Sequence, residues 1–154
     1  MRVVVQRVSQ GGVYIREENY SEEINKGLII LLGIKTGDKE EDVNFLADKC
    51  CSLRIFADEN DKMNLSLRDI NGEALIISQF TLYGDAQKGN RPGFTDAARP
   101  EEAIPLYEKF IRRVKNNLGD DKVKTGIFGA MMEVKIFNDG PVTLIIESKN
   151  SYKQ

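Results

Sequence analysis

The chain has 154 residues, with 22 Lys and Arg against 24 Asp and Glu, no Trp and no His, a size that suits one domain. A formal net charge of −2 supplies no overall positive field for nucleic acid, so such a partner would need a local patch. The absence of His excludes Ser–His–Asp and Cys–His catalysis, an HExxH zinc site and an imidazole base near neutrality.

Hydrophobic residues at 41% and charged residues at 30% form an ordinary globular mixture. The opening MRVVVQRVSQGG reaches Gln6 and Arg7 after three apolar residues, too soon for a signal-peptide core. The longest apolar run, Leu28 to Leu32, falls far short of the roughly 20 residues of a membrane span. A soluble, cytoplasmic protein without a membrane partner is therefore expected. Cys50 and Cys51 are adjacent and no CxxC pair exists, which reads as free thiols buried on a helix. No carboxylate cluster has distinctive spacing, so neither a metal nor another cofactor is expected.

In chain order, residues 2–8 are β-rich and 13–16 are expected to return beside them after a Gly11-Gly12 turn. Leu28 to Ile34 reads as a central strand. Asp38 with Glu41 three residues on gives a capping-box arrangement, and Val43, Leu46, Ala47 and Cys50 predict a helix over 39–51. Leu53 to Phe56, Asn64 to Leu67 and Ala74 to Gln79 read as strands. The polar stretch 84–100 is a long loop of the sort that carries function or mobility. Ala103, Tyr107, Phe110, Val114 and Leu118 set a helical stripe over roughly 104–118, stopped by Gly119. Residues 131–137 and 142–147 alternate around Asn138-Asp139-Gly140, which predicts a β-hairpin. Two principal helices and many strands define an α+β single domain with a curved, barrel-like, mainly antiparallel sheet.

Three segments are candidates for chemistry. Ser78, Gln79, Phe80, Thr81 and Leu82 are either a strand fraying into a turn or a rim whose hydroxyls and backbone N–H groups face a ligand. Thr81 without a base is a poor nucleophile. Asn138, Asp139, Gly140 and Pro141 are either a plain turn or a rigid presentation of outward carbonyls. Lys88, Arg91 and Arg99, with Lys109, Arg112, Arg113 and Lys115, are either a solvated face or a patch for phosphates, with Tyr83 and Phe94 nearby as stacking surfaces.

The SQFTL segment at 78–82, followed by NDGPVT at 138–143, resembles the D-aminoacyl-tRNA deacylase family. The opening VVQRVS, GLIILLGI, RIFADENDKMN, the NRPGF loop and Phe128 to Val134 match as well, so the resemblance runs from Met1 to about Glu147. It implies a deacylase domain over 1–147 with a short tail at 148–154, a homodimer, and hydrolysis of the ester between a D-amino acid and the 3′ end of tRNA. Ser78, Gln79, Phe80 and Thr81 would line the scissile ester. Gly140 and Pro141 of the partner subunit would act as a chiral gate through a cis peptide. Met132, Asn138 and Asp139 would bind substrate, and Lys88 and Arg91 would contact tRNA. Glycyl-tRNA would be accepted too, since a gate against L side chains finds nothing to reject there. The chain departs from the family pattern at Gly93, at Gly11-Gly12 and at Met131. The alternatives are a tRNA-binding protein of the same fold without turnover, and an unrelated small-molecule esterase.

Overall fold

The structure is a computed structural model that describes residues 1–148. Its backbone is organised around one long strand, β1 (Arg2–Ile15). The turn expected at Gly11-Gly12 is absent, and β1 runs straight through both glycines. They serve close packing instead. A Cβ on Gly11 would press on Ile29, and one on Gly12 would lie 3.2 Å from the Glu22 carbonyl oxygen. The chain reverses later, where Asn19 takes a positive φ of 46°, and β2 (Tyr20–Ile24) pairs back along β1 from Ile15 to Gly11.

β3 (Gly27–Gly33) pairs antiparallel with the other half of the same β1 edge, from Val8 to Arg2. β6 (Glu73–Ser78) lies parallel to β3, and β7 (Val123–Thr125) lies parallel to β6. Between β3 and β6, β4 (Phe56–Ala57) and β5 (Met63–Leu65) form a separate small hairpin, shorter than the expected strands. The main sheet curls until the Tyr20 hydroxyl on β2 donates to the Thr125 carbonyl on β7 at 2.9 Å. The result is a nearly closed, barrel-like mixed sheet in an α+β fold.

The last strand, β8 (Glu133–Glu147), overturns the expected hairpin. Its first arm pairs antiparallel with β1 from Tyr14↔Glu133 to Val8↔Asn138, and its second from Gln6↔Thr143 to Arg2↔Glu147. Both arms run the same way along one partner. Only Arg7 of β1 then stands opposite residues 139–142, so the Asn-Asp-Gly-Pro segment is an outward bulge and not a reversal. The two corrections share one cause: because β1 does not turn at Gly11-Gly12, it is long enough to hold both arms of β8.

Two helices cover one face. α1 (Glu40–Ser52) begins one residue later than expected, capped by Asp42, whose carboxylate accepts from the Lys39 amide at 2.8 Å. Asp38 serves elsewhere, accepting from the Lys35 amide at 2.7 Å and from the Met1 amino group at 2.5 Å. α2 (Pro100–Leu118) starts four residues earlier than expected because Pro100 occupies the first turn, where no N–H is needed. Val43, Leu46, Ala47 and Cys50 of α1 and Ala103, Tyr107, Phe110 and Val114 of α2 pack on Leu28, Ile30 and Ile76. Cys50 and Cys51 are free and buried as expected. Burial pushes both thiols up, Cys51 to about 12, which suppresses thiolate chemistry. Lys109 pairs with Glu40 at 2.5 Å and Arg113 with Asp48 at 2.7 Å, so two cations of the candidate patch tie α2 to α1. Ser148, within the expected tail, is buried, and its amide donates to the Met1 carbonyl at 2.9 Å. Residues 149–154 of that tail lie outside the described residues. Among the described residues, no helix is long and apolar enough to cross a membrane.

Candidate active site

A cavity of about 410 Å³ opens where β6 ends. Ser78 closes β6, and Phe80–Tyr83 then form one 3-10 turn. The Gln79 amide donates to the Leu32 carbonyl at 2.8 Å, which continues the β3–β6 pairing one residue further and sets the turn at the sheet's end. The turn's first internal bond runs from the Leu82 amide to the Gln79 carbonyl at 3.2 Å. The amides of Phe80 and Thr81 precede that bond and, like the leading amides of any helical turn, have no acceptor inside it.

Ser78, Gln79, Phe80 and Thr81 all line the cavity, as does Met132. The structure thus brings together the SQFT segment and the Met before the last strand, 51 residues beyond Thr81 in number. Ile77, Phe128, Ala130 and Val134 supply much of the apolar wall, and Ala98 and Ala103 flank it from the loop and α2. A Cβ on Gly126 would collide with the Met132 sulfur, so a glycine there lets Met132 settle against the cavity wall. Phe80 is 57% exposed at the mouth and meets Phe94 edge to face at 5.1 Å. That contact joins the 84–100 loop to the rim.

None of the residues lining this cavity carries a carboxylate, amine, guanidinium, thiol or phenol. The Thr81 hydroxyl is paired with Gln79, whose side-chain Nε2 donates to it at 2.5 Å. Among the described residues, no group of three or more His, Cys, Asp or Glu could hold a metal ion.

Asn138, Asp139, Gly140 and Pro141 do not line the cavity of their own chain. Val134 is the last β8 residue that does, and the four residues on to Asn138 carry the strand roughly 13 Å away. Asn138 pinches the bulge: its side-chain Nδ2 donates to the Thr143 hydroxyl at 3.0 Å, and its side-chain Oδ1 accepts from the Val142 backbone amide at 3.3 Å. Gly140 has a φ of +114°, and its bond to Pro141 is cis. Both residues are exposed.

Sequence reasoning missed Arg7, which sits beneath this bulge. Its Nε donates to the Asp139 carbonyl at 3.1 Å and lies 3.3 Å from the Asp139 carboxylate, while Nη1 donates to the Ile55 carbonyl at 2.6 Å. The signal available was a cation inside the Val3, Val5, Val8 core pattern. Its side chain is only 13% exposed. Lys88 and Arg91 are exposed in the loop, whose base is closed by two hydrogen bonds between Asp85 and Gly93 at 2.8 and 2.9 Å. Gly93 contributes only its backbone, with open space where a side chain would stand.

The apolar cavity at the end of β6 sits on a curled α+β sheet, and comparison with known proteins gives the chain's class, that of the D-aminoacyl-tRNA deacylases. The profile of the family described as D-Tyr-tRNA(Tyr) deacylase matches residues 4–147, and the chain belongs to that family. It is 55% identical over 152 residues to the D-aminoacyl-tRNA deacylase of Clostridioides difficile (strain 630), covering 99% of this chain and 100% of that protein. It is 51% identical over 153 residues to the D-aminoacyl-tRNA deacylase of Dictyoglomus turgidum (strain DSM 6724 / Z-1310), covering 99% and 96%. A solved structure of a c-Myc DNA Unwinding Element Binding Protein superposes with a TM-score of 0.90 at 37% identity, covering 96% of this chain and 99% of that one.

Proposed function

We propose that this chain hydrolyses D-aminoacyl-tRNA to free tRNA and D-amino acid, and that it acts in the cytoplasm as a chirality-based editing enzyme of translation. The observation that carries the mechanism is the cavity lining of SQFT backbone and apolar side chains, with no acid or base among them. An aminoacyl ester is an activated acyl group, so stabilising the oxyanion of its tetrahedral intermediate can supply much of the acceleration. The Phe80 and Thr81 amides are the donors for that oxyanion. Water adds to the carbonyl carbon, the ester C–O bond breaks, and the proton passes to the departing 3′-oxygen. The neighbouring 2′-hydroxyl of the tRNA orients the water in place of a side-chain base.

In this reading the working unit is a homodimer. Each chain's Gly140–Pro141 bulge lies outside its own cavity, and a second copy's bulge closes the site over the α-carbon. Apolar side chains left exposed on and beside β8 favour such a partner: Phe137 at 57%, Ile145 at 70% and Met131 at 82%. The bulge leaves room for hydrogen but not for an L side chain, so glycyl-tRNA is a substrate as well. Lys88 and Arg91 contact the tRNA backbone at the loop tip, and Asn138 and Asp139 support the gate.

The test offers one tRNA charged with D-tyrosine, L-tyrosine or glycine. Release from the D and glycyl esters with the L ester intact is expected. Equal rates on both enantiomers refute the gate, and tRNA binding without release leaves the non-hydrolytic alternative.

A further inference from the structure

We infer that Arg2, a residue outside the cavity, is a positioning residue for the Phe80–Tyr83 turn; the inference rests on the deacylase reading of that turn. Arg2 opens β1, at the far end of the sheet strand from Gly11-Gly12. Its Nη1 donates to the Leu82 carbonyl at 2.6 Å. Its guanidinium also lies over the Tyr83 ring, 4.9 Å from the centroid. Glu147, Arg2's pairing partner at the end of β8, clasps the same guanidinium through Nε at 2.5 Å and through an ion pair with Nη2.

The turn's carbonyls account for why this contact matters. The Gln79 carbonyl accepts from Leu82, and the Thr81 carbonyl accepts from Gly84 at 2.9 Å. The Leu82 carbonyl is held by Arg2. Gln79 is fixed to β3 through Leu32, so the front of the turn belongs to the sheet. Arg2 fixes the back. Between these two anchors sit the Phe80 and Thr81 amides. A planar guanidinium fixed by a carboxylate, a carbonyl and an aromatic face cannot be replaced by a point charge without losing one of the three. A cation whose side chain is about one-third exposed thereby sets the pitch of the turn from the start of β1, which the Arg2↔Gly33 and Leu32↔Ser78 pairings place at the same end of the sheet.

Three variants test this: Arg2→Met, which keeps the apolar stem, Arg2→Lys, which keeps the charge, and Glu147→Gln, which loosens the clasp. Two readouts are made on each folded protein. The first is steady-state kcat and KM on D-tyrosyl-tRNA. The second, independent of activity, is amide hydrogen exchange at Phe80 to Gly84 by NMR. A displaced turn is expected to lower kcat by about tenfold to a hundredfold in Arg2→Met with KM within about twofold. Arg2→Lys and Glu147→Gln fall between it and the parent. Exchange in the turn speeds up by about tenfold or more while α1 amides stay unchanged. Parent-like kcat together with parent-like exchange in Arg2→Met overturns the inference, as does faster exchange spread evenly over the sheet. If the parent protein fails to cleave D-tyrosyl-tRNA but the turn still loosens selectively, the deacylase reading falls and the structural role of Arg2 stands.

Discussion

Arg7 of β1 donates from Nε to the carbonyl oxygen of Asp139 at 3.1 Å, across the wider of the two breaks in the β1–β8 register. Four residues of β8 oppose this single residue of β1, and its guanidinium fills the space that the ladder vacates. It also reaches the Ile55 carbonyl ahead of β4 at 2.6 Å. The bulge is therefore anchored from below as well as pinched by Asn138 from within.

Removing that anchor should loosen the gate before it unfolds the protein. Arg7→Met leaves the Ile55 and Asp139 carbonyls without their donor, a loss of about 1–3 kcal/mol. Gly140→Ala adds a methyl that runs into the Arg7 guanidinium at a φ of +114°, for a similar cost. Both variants should show a lower urea midpoint and a reduced preference for the D ester. Unchanged enantiomer ratios in both would separate the bulge from selectivity.

Thr81→Ala should keep activity within about tenfold of the parent, equivalent to about 1.4 kcal/mol in the barrier. The hydroxyl is engaged by Gln79, and the cavity offers it no base. Loss of all turnover with tRNA binding intact would point to a covalent Thr81 intermediate. Quench-flow with D-tyrosyl-tRNA measures this.

The helix clasp has a defined acid limit. The Arg113 guanidinium beside Asp48 holds its carboxyl at about 2, below the ordinary 3.8, with Asn117 adding a hydrogen bond. A carboxylate with a lowered folded value stabilises the fold fully above its unfolded value and loses that contribution as pH falls through the folded value. The contribution is therefore present above about pH 4 and fades towards pH 2. Both side chains are more than two-fifths exposed, so it amounts to under about 1 kcal/mol. Asp48→Asn should lower Tm slightly at pH 6 and by less near pH 2. An equal drop at both values would contradict the pairing.

If the proposed homodimer pairs through β8, Phe137→Glu should raise its dissociation constant about tenfold or more, because it places a charge on the exposed apolar run of that strand. Sedimentation velocity reports the change, and activity should fall in parallel. A fully active monomer would show that one chain completes its own site.

Much of this architecture was legible locally. The strands at Leu28, Ala74 and the chain start and both helical stripes all appear where apolar spacing and residue type placed them. The exceptions were Gly11-Gly12 and Asn138-Asp139-Gly140. Each carries turn-forming residues, and each lies inside a strand. Turn propensity is local, whereas pairing of residues 2–14 with 133–147 is decided across the whole chain length. Arg7 was invisible as an anchor for the same reason: its partners exist only once β8 lies beside β1. The chain has no His, and no side chain lining the cavity is an acid or a base.

The most direct measurement of the central claim mixes two inactive proteins. Pro141→Arg spoils the bulge and leaves the cavity, while Ala130→Trp fills the cavity and leaves the bulge. Co-refolded, they form mixed dimers in which the intact bulge of one chain faces the intact cavity of the other. D-Tyrosyl-tRNA hydrolysis is expected to return in the mixture with L-tyrosyl-tRNA still spared. A mixture that forms dimers and stays as inactive as its parents would contradict a site built from two chains.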